Sequence, residues 1–422
     1  MGYNFFNITP VKDSWNKRLN SFLFSLGSAI RDGKSIEIAD NDINYTLAQQ
    51  HRRIGEKGLN VDYEVYTTEQ ELSKFKVGSN WNDAHYENAV AFRFCGVKRN
   101  VSRNGKILYK DNKKSVIYET VSDVLTGTHP DNVTFSCPNC GGVSTVAELQ
   151  SGCPYCNTMY KMDDLFPKVT GYYFMDEPGI DKEYFKKGVL ISIISFAAFI
   201  ILGNIILNHD QLRSVGMIIA LLFGAVFGGA VGGYFLFSIF LLFRMIARII
   251  STAGKMGTAG SRRRFEVRMK NISPDFSYEY FTSKAVSLIK NAIFAKNESE
   301  LPFYKGEPLD PKMKDIIDLN YGGALGFEGF REDNGIVTVE TDAFFDVLYA
   351  TGEKVFLKHK IFSAVFRRRT DIPVNFNFSM TRICCPTCGS SFDATRNKNC
   401  PSCGNAYEII SDDWALVSLK EK

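Results

Sequence analysis

Two apolar runs in the middle of the chain, Gly188 to Asn208 and Val215 to Phe243, contain no charged residue. The first, GVLISIISFAAFIILGNIILN, is about 21 residues long, which at about 1.5 Å per residue matches a hydrocarbon core of about 30 Å. The second is about 29 residues and must tilt, kink or protrude. The alternative is a pair of buried helices in a soluble protein, where uncharged runs of this length are rare. Only HDQLRS separates the runs, so transmembrane helices over 188–208 and 215–243 are expected to form an antiparallel hairpin. Gly224, Gly228 and Gly232 recur every fourth residue, a spacing that lets another backbone approach closely. That contact is expected with the first helix of the same hairpin, or alternatively with a second copy of the chain.

Basic residues set the orientation. Lys182, Lys186 and Lys187 precede the hairpin, and Arg244, Arg248, Lys255, Arg262, Arg263, Arg264 and Arg268 follow it, whereas the loop holds Arg213 alone. The bias predicts a multi-pass protein of the cell (plasma) membrane with both soluble parts cytoplasmic. The first fifteen residues, MGYNFFNITPVKDSW, lack the basic start and apolar core of a signal peptide. Residues 244–270 read as a small-residue linker ending in a basic cluster suited to anionic headgroups. Its GKMG segment is not a phosphate loop, because Ile249 stands where glycine is required.

Ten cysteines are present, and eight form four C-x2-C pairs: Cys137, Cys140, Cys153 and Cys156, then Cys385, Cys388, Cys400 and Cys403. Each pair presents two thiolates to one ion, and two pairs complete the tetrahedron that Zn²⁺ prefers. Gly141, Asn157, Gly389 and Gly404 follow the pairs, residue types that accept the left-handed backbone of a tight knuckle. Two structural zinc ribbons, 137–156 and 385–403, are therefore expected, with iron as the other chemical option. Disulfides conflict with a reducing compartment, and a redox centre does not need four pairs in two sets. Cys95 and Cys384 fall outside the pattern.

Around the ribbons the pattern is α+β. Trp15 to Ile30 is amphipathic, with Leu19, Phe22, Leu23, Leu26 and Ile30 on one face; that face suits a protein core or, alternatively, the membrane surface. It lies in a helical segment, 1–60. Strands are predicted at Val61–Tyr66, Ala89–Arg99 and Ile107–Thr120 in a domain spanning 61–178, with Asn104-Gly105 as a hairpin turn. The C-terminal domain, 271–422, begins with SPDFSYEYFTSKAVSLIKNAIFA, in which Ser273 can cap and Pro274 fits the first turn. A short helix near Asp310–Leu319 follows. Strands are expected at Gly323–Phe330, Ile336–Tyr349, Lys354–Arg368 and through Val374, Phe376, Phe378 and Met380. Turns fall at Asp333-Asn334-Gly335 and Thr351-Gly352. The matching entries and exits of the two ribbons suggest that 61–178 is a diverged copy of the C-terminal domain, against convergent use of a ribbon between strands.

The helix SPDFSYEYF…KAVSLIKNAIF, the second helix, the long antiparallel run and the closing DDWALVSL resemble the Tim-forty-four-like family, that of the peripheral subunit of the mitochondrial presequence translocase. The resemblance covers Ser273 to Leu419 without the ribbon. It implies a cone-like domain, helices on a curved antiparallel sheet around an apolar cavity. The chain is similar overall to bacterial proteins that join a zinc ribbon, membrane helices and this domain and are described as transport proteins. It differs from the mitochondrial member in its own hairpin and two ribbons.

The net charge of +4 is too small to argue for nucleic acid, and no basic stripe interleaved with aromatics occurs in either soluble part, so no nucleic-acid partner is expected. His51, His85, His129, His209 and His359 form no metal or catalytic spacing, and no G-x-S-x-G or nucleotide loop occurs. The expected function is a membrane-anchored binding or scaffold protein with an unidentified protein partner, linked to protein transport or membrane-protein handling. The alternatives are an enzyme acting on a small lipid-like molecule in the cone cavity, and a zinc- or redox-responsive regulator.

Overall fold

The computed structural model describes residues 9–67, 74–82, 86–124, 134–137, 140–145, 148, 152–157, 168–176, 182–207, 215–256, 258–274, 276–298, 301, 303–371, 382–385, 387–388, 391–393, 399–406 and 414–422. It is an α+β protein of two units. One joins Met1–Glu177 with Gly257–Lys422, and the other is Pro178–Met256.

In the larger unit, helix α1 (Asp13–Asp32) buries Trp15, Leu19, Phe22, Leu23, Leu26 and Ile30. The i, i+3, i+4, i+7 spacing of these side chains makes one apolar stripe. The helix stops at Gly33, whose φ of 68° is costly for any residue with a Cβ and whose N–H donates to Ala29 O. Helix α2 (Asn41–Glu56) starts at Asp40, which accepts from the Ile43 N–H. An antiparallel sheet follows in the order β1 (Asn60–Tyr66), β3 (Tyr86–Arg103), β4 (Lys106–Val124) and β7 (Lys168–Asp176), with β2 (Lys76–Asn82) also on β3. Asn104 and Gly105 turn the β3–β4 hairpin at φ of 50° and 78°. Between β4 and β7 lies a small pair, β5 (Thr134–Ser136) and β6 (Val143–Thr145).

Beyond the apolar hairpin the plan recurs. Helix α5 (Thr258–Ile272) leads to α6 (Tyr278–Phe294) and a one-turn 3-10 helix (Pro311–Asp315). The sheet runs β8 (Ile316–Asp333), β9 (Ile336–Thr351), β10 (Lys354–Arg369) and β13 (Ala415–Glu421), and between its last two strands sits the pair β11 (Arg382–Cys384) and β12 (Ser391–Asp393). In each half a long antiparallel pair, β3–β4 or β9–β10, carries earlier strands on one edge, β1 and β2 in the first half and β8 in the second, and is followed by a cysteine ribbon and a return strand on the strand that preceded the ribbon. The correspondence extends to single residues. Val169 exchanges backbone hydrogen bonds with Ile38 O (2.8 Å) and Asp40 N (3.0 Å), and Leu416 does so with Phe303 O (2.8 Å) and Lys305 N (2.9 Å). Val169 and Leu416 each stand thirteen residues beyond the last cysteine of their ribbon. Both return strands carry a bulge one residue later, opposite Thr120/Val121 and Val365/Phe366.

The two soluble segments, expected as separate domains, pack as one unit. Helix α2 lies against α6, and β7 lies beside β8. There the Asn320 side chain acts as a strand, accepting from Phe174 N (3.0 Å) and donating to Phe174 O (2.6 Å). Arg53 donates to the carbonyls of Ile293 (2.5 Å), Ala295 (3.3 Å), Met313 (3.1 Å) and Ile316 (3.3 Å). Ile317, Leu348, Ala350 and Val355 belong to the same apolar cluster as α1 and the first sheet.

Several boundaries differ from the sequence reading. The linker expected over 244–270 is helical except at Gly257, which lies outside the described residues. Phe265 and Met269 anchor α5 in the core, with Phe265 stacked on Phe327 at 4.0 Å. Arg262, assigned to the headgroups, pairs with Glu279 (2.9 Å) and covers the Tyr278 ring. Ser277 rather than Ser273 caps α6, accepting from Tyr280 N. The strand through Val374, Phe376, Phe378 and Met380 lies outside the described residues.

The smaller unit is an antiparallel pair of apolar helices, α3 (Lys182–Leu207) and α4 (Val215–Met256). Phe185–Leu207 and Val215–Phe243 are long and apolar enough to cross a membrane. Phe199, Leu202, Phe223, Phe227 and Phe235 are exposed on them, unlike the side chains of a soluble core helix. The seam is one residue off the expected register. Ala225, Gly229, Gly233 and Phe237 form the buried stripe of α4. A Cβ on Gly233 would stand 2.6 Å from Ile193 Cα, and one on Gly229 would stand 2.7 Å from Ala197 Cβ. Gly228 and Gly232 flank the seam against Ile200 and Phe196, and Gly224 faces open space.

Gly233→Leu is therefore expected to force the helices apart and to reduce the folded, monodisperse fraction on size exclusion in detergent. Gly224→Leu should leave the profile unchanged; a shift toward a smaller species on Gly224→Leu would instead put an oligomer seam on that face. A second expectation concerns Glu119 on β4, which is 0 % exposed, with neither oxygen hydrogen-bonded among the described residues. Burial pushes its carboxyl well above the ordinary 4.5, against the pull of Arg93. A folded pKa above the unfolded one means stability present below pH 4.5 and lost as pH rises. Glu119→Gln should raise the thermal midpoint at pH 8 by about 2–4 °C and change it little at pH 4.5.

Candidate metal centres

The chain reverses direction twice in each ribbon to bring distant cysteines together. The Cys137 N–H donates to Gly142 O (2.8 Å) and the Gly141 N–H to Cys137 O (2.7 Å). Asn157 N–H reaches Cys153 O, and Gly404 N–H reaches Cys400 O, both at 2.8 Å. Gly141, Asn157 and Gly404 adopt φ of 76°, 57° and 77°, the left-handed region that closes a knuckle; Gly389 lies outside the described residues.

The result is two clusters, Cys137, Cys140, Cys153 and Cys156, and Cys385, Cys388, Cys400 and Cys403, each with all four sulfurs within 4.8 Å of one another. Sulfur–sulfur distances include Cys137–Cys156 (3.6 Å), Cys140–Cys153 (3.7 Å), Cys385–Cys403 (3.5 Å) and Cys388–Cys400 (3.6 Å). These separations are far too long for disulfides, whose sulfurs are about 2.05 Å apart. They match the edge of a tetrahedron, about 3.8 Å, with each sulfur about 2.3 Å from a central Zn²⁺. Each cluster can hold one metal ion. Backbone N–H groups of Cys388 and Thr387 favour the Cys385 thiolate, whereas the neighbouring thiols push those of Cys140 and Cys403 up, as four sulfurs crowded without a cation would. Cys137, Cys153, Cys385 and Cys400 are buried, and the last two join the apolar core of the second half. Strand β11 lies beside β5, so the ribbons are neighbours. Cys95, outside both clusters, is a buried thiol of the first sheet.

Among the described residues, the histidines form no cluster. His51 Nδ1 is 3.1 Å from Ile30 O and His359 Nδ1 is 2.5 Å from Asp346, while His85, His129 and His209 lie outside the described residues.

A feature the motif search misses is a polar cleft where the halves meet. Arg99 forms a two-bond fork with Asp111 (3.1 and 2.5 Å) and donates across to Asp318 (2.7 Å). Gln50 and the Leu319 N–H also hold Asp318, each at 3.0 Å. Lys290, Tyr63 and Tyr172 complete the floor, and Lys113 and Asp346 stand at the rim. These residues come from six strands and two helices, at separations that leave no sequence motif.

Cys137→Ser and Cys385→Ser should each lower the bound metal by one equivalent by elemental analysis of the purified chain, and the double variant should bind none. A strong chelator should broaden the unfolding transition if the ions hold the ribbons together. An unchanged metal content in either single variant would sink the two-site assignment. No family model, curated protein or solved structure matches the chain.

Proposed function

We propose that the chain is a membrane-anchored binding or scaffold protein of the cell membrane, with its soluble unit cytoplasmic and one structural zinc in each ribbon. The observation that carries this reading is a single folded unit made of chain from both sides of an exposed apolar hairpin. A hairpin crossing twice returns the chain to the side it left, and the surplus of Lys and Arg at its ends argues for the cytoplasm. Four thiolates around one ion leave no open coordination position, so the zinc is structural. The resemblance to the Tim-forty-four-like family supports a partner met in protein transport or membrane-protein handling. The matched bulges and return strands support a diverged internal duplication.

The polar cleft favours a second reading, chemistry on a small molecule, because converging titratable groups are what an apolar docking groove lacks. Photo-crosslinkers on the exposed face of the soluble unit, introduced in intact membranes, should recover a defined protein partner. Recovery of none from several positions would remove the scaffold reading and leave the second one standing.

A further inference from the structure

Lys290 sits on α6 with only 8 % of its surface exposed, yet it lines the cleft. Its ammonium lies over the Tyr172 ring, 4.8 Å from the centroid. Among the described residues it makes no hydrogen bond or ion pair within bonding distance, although the charge of Asp318 reaches it. Leaving a buried ammonium without a hydrogen-bonded partner is costly. The carboxylates that might have satisfied it are committed elsewhere: Asp111 and Asp318 to Arg99, and Asp346 to His359. A fold that buries a lysine, denies it a carboxylate and opens a cleft in front of it has the arrangement of an amine kept for an external ligand.

We propose that Lys290 is a nucleophilic amine and that the cleft between the two halves takes a small aldehyde or ketone, which it binds as an imine. The lining decides between a carbonyl compound and an anion. Lys290, Arg99 and Lys113 are balanced by Asp111, Asp318 and Asp346, so an anion would meet no net positive charge. Ile30, Val97 and Phe174 provide apolar wall for an uncharged body. The hydroxyls of Tyr63 and Tyr172 remain protonated, because burial raises both phenols above their ordinary range, and a phenol can donate to a carbonyl oxygen. Desolvation lowers the Lys290 ammonium to about 8, opposed by Asp318, which leaves a substantial neutral fraction at physiological pH. In the reaction the free amine attacks the carbonyl carbon. The oxygen departs as water with the amine's two protons, and the proton that the ammonium first released to solvent returns to the nitrogen, so the protonated imine carries the positive charge the ammonium had. No oxidant, reductant or metal is required.

This inference stands apart from the scaffold reading. The test uses the full chain in detergent with propionaldehyde, trapping any imine with cyanoborohydride and mapping the alkylated lysines by mass spectrometry from pH 6 to 10. Lys290 should be modified about tenfold faster than exposed Lys354 and Lys420 at pH 7.5, with half-maximal reactivity near pH 8, where ordinary lysines titrate near 10.4. Lys290→Arg should abolish the fast site alone, while Lys354→Arg, on the exposed surface, should leave it. Lysines alkylated at the surface with Lys290 untouched would overturn the proposal. So would suppression of the Lys290 alkylation by inorganic phosphate, which would make the cleft an anion site.

Discussion

The Arg53 guanidinium joins two lengths of chain that the hairpin separates. It leaves the first half on α2 and ends among four carbonyls of the second, at the C-terminal end of α6 and at the 3-10 turn. Those carbonyls are the kind a helix end leaves unsatisfied, and a single planar donor fork meets them at once. Around this contact, Thr46 bonds Asn291 and Asp42 faces Lys284 at 3.7 Å. The helix-to-helix seam is therefore polar and specific, unlike the apolar cores on either side. Because it holds α2 against α6, β7 comes beside β8, the Arg99–Asp318 bridge can form, and the cleft has two walls.

Long periodic elements were legible in the sequence. The stripe from Trp15 to Ile30 identified α1, and Asn104-Gly105 and Asn334-Gly335 identified two hairpins, since an Asn-Gly pair at positive φ suits little else. The cysteine spacing identified both clusters, because a four-thiolate site needs only two short knuckles and is insensitive to what lies between. Helix α2 was legible only as part of the helical segment 1–60; its own bounds and buried face were not. Ile43, Leu47 and Ile54 are buried among Asp42, Thr46, Gln50 and Arg53, which are also buried, and an apolar-periodicity reading counts those polar residues as solvent-facing. Helix α5 was hidden for a related reason. Three consecutive arginines and several small residues look like a linker, and its two anchors, Phe265 and Met269, are a single i, i+4 pair.

The glycine seam shows a subtler limit. Gly224, Gly228 and Gly232 satisfy the spacing as well as Ala225, Gly229 and Gly233 do, and only the facing helix distinguishes two adjacent stripes. The cleft lies beyond any such reading. Its members are 63, 99, 111, 172, 290 and 318 in the chain, and their proximity depends on the seam between the halves.

The shared core has a consequence for how the protein is made. Synthesis completes residues 1–177 before either apolar helix has emerged, yet their apolar cluster includes Ile317, Leu348, Ala350 and Val355. The nascent first half must wait with one flank uncovered while the apolar hairpin and the remaining chain are translated. If the hairpin crosses a bilayer, as proposed, its insertion becomes a checkpoint in folding. A chain that failed to insert would then meet quality control with its core still open.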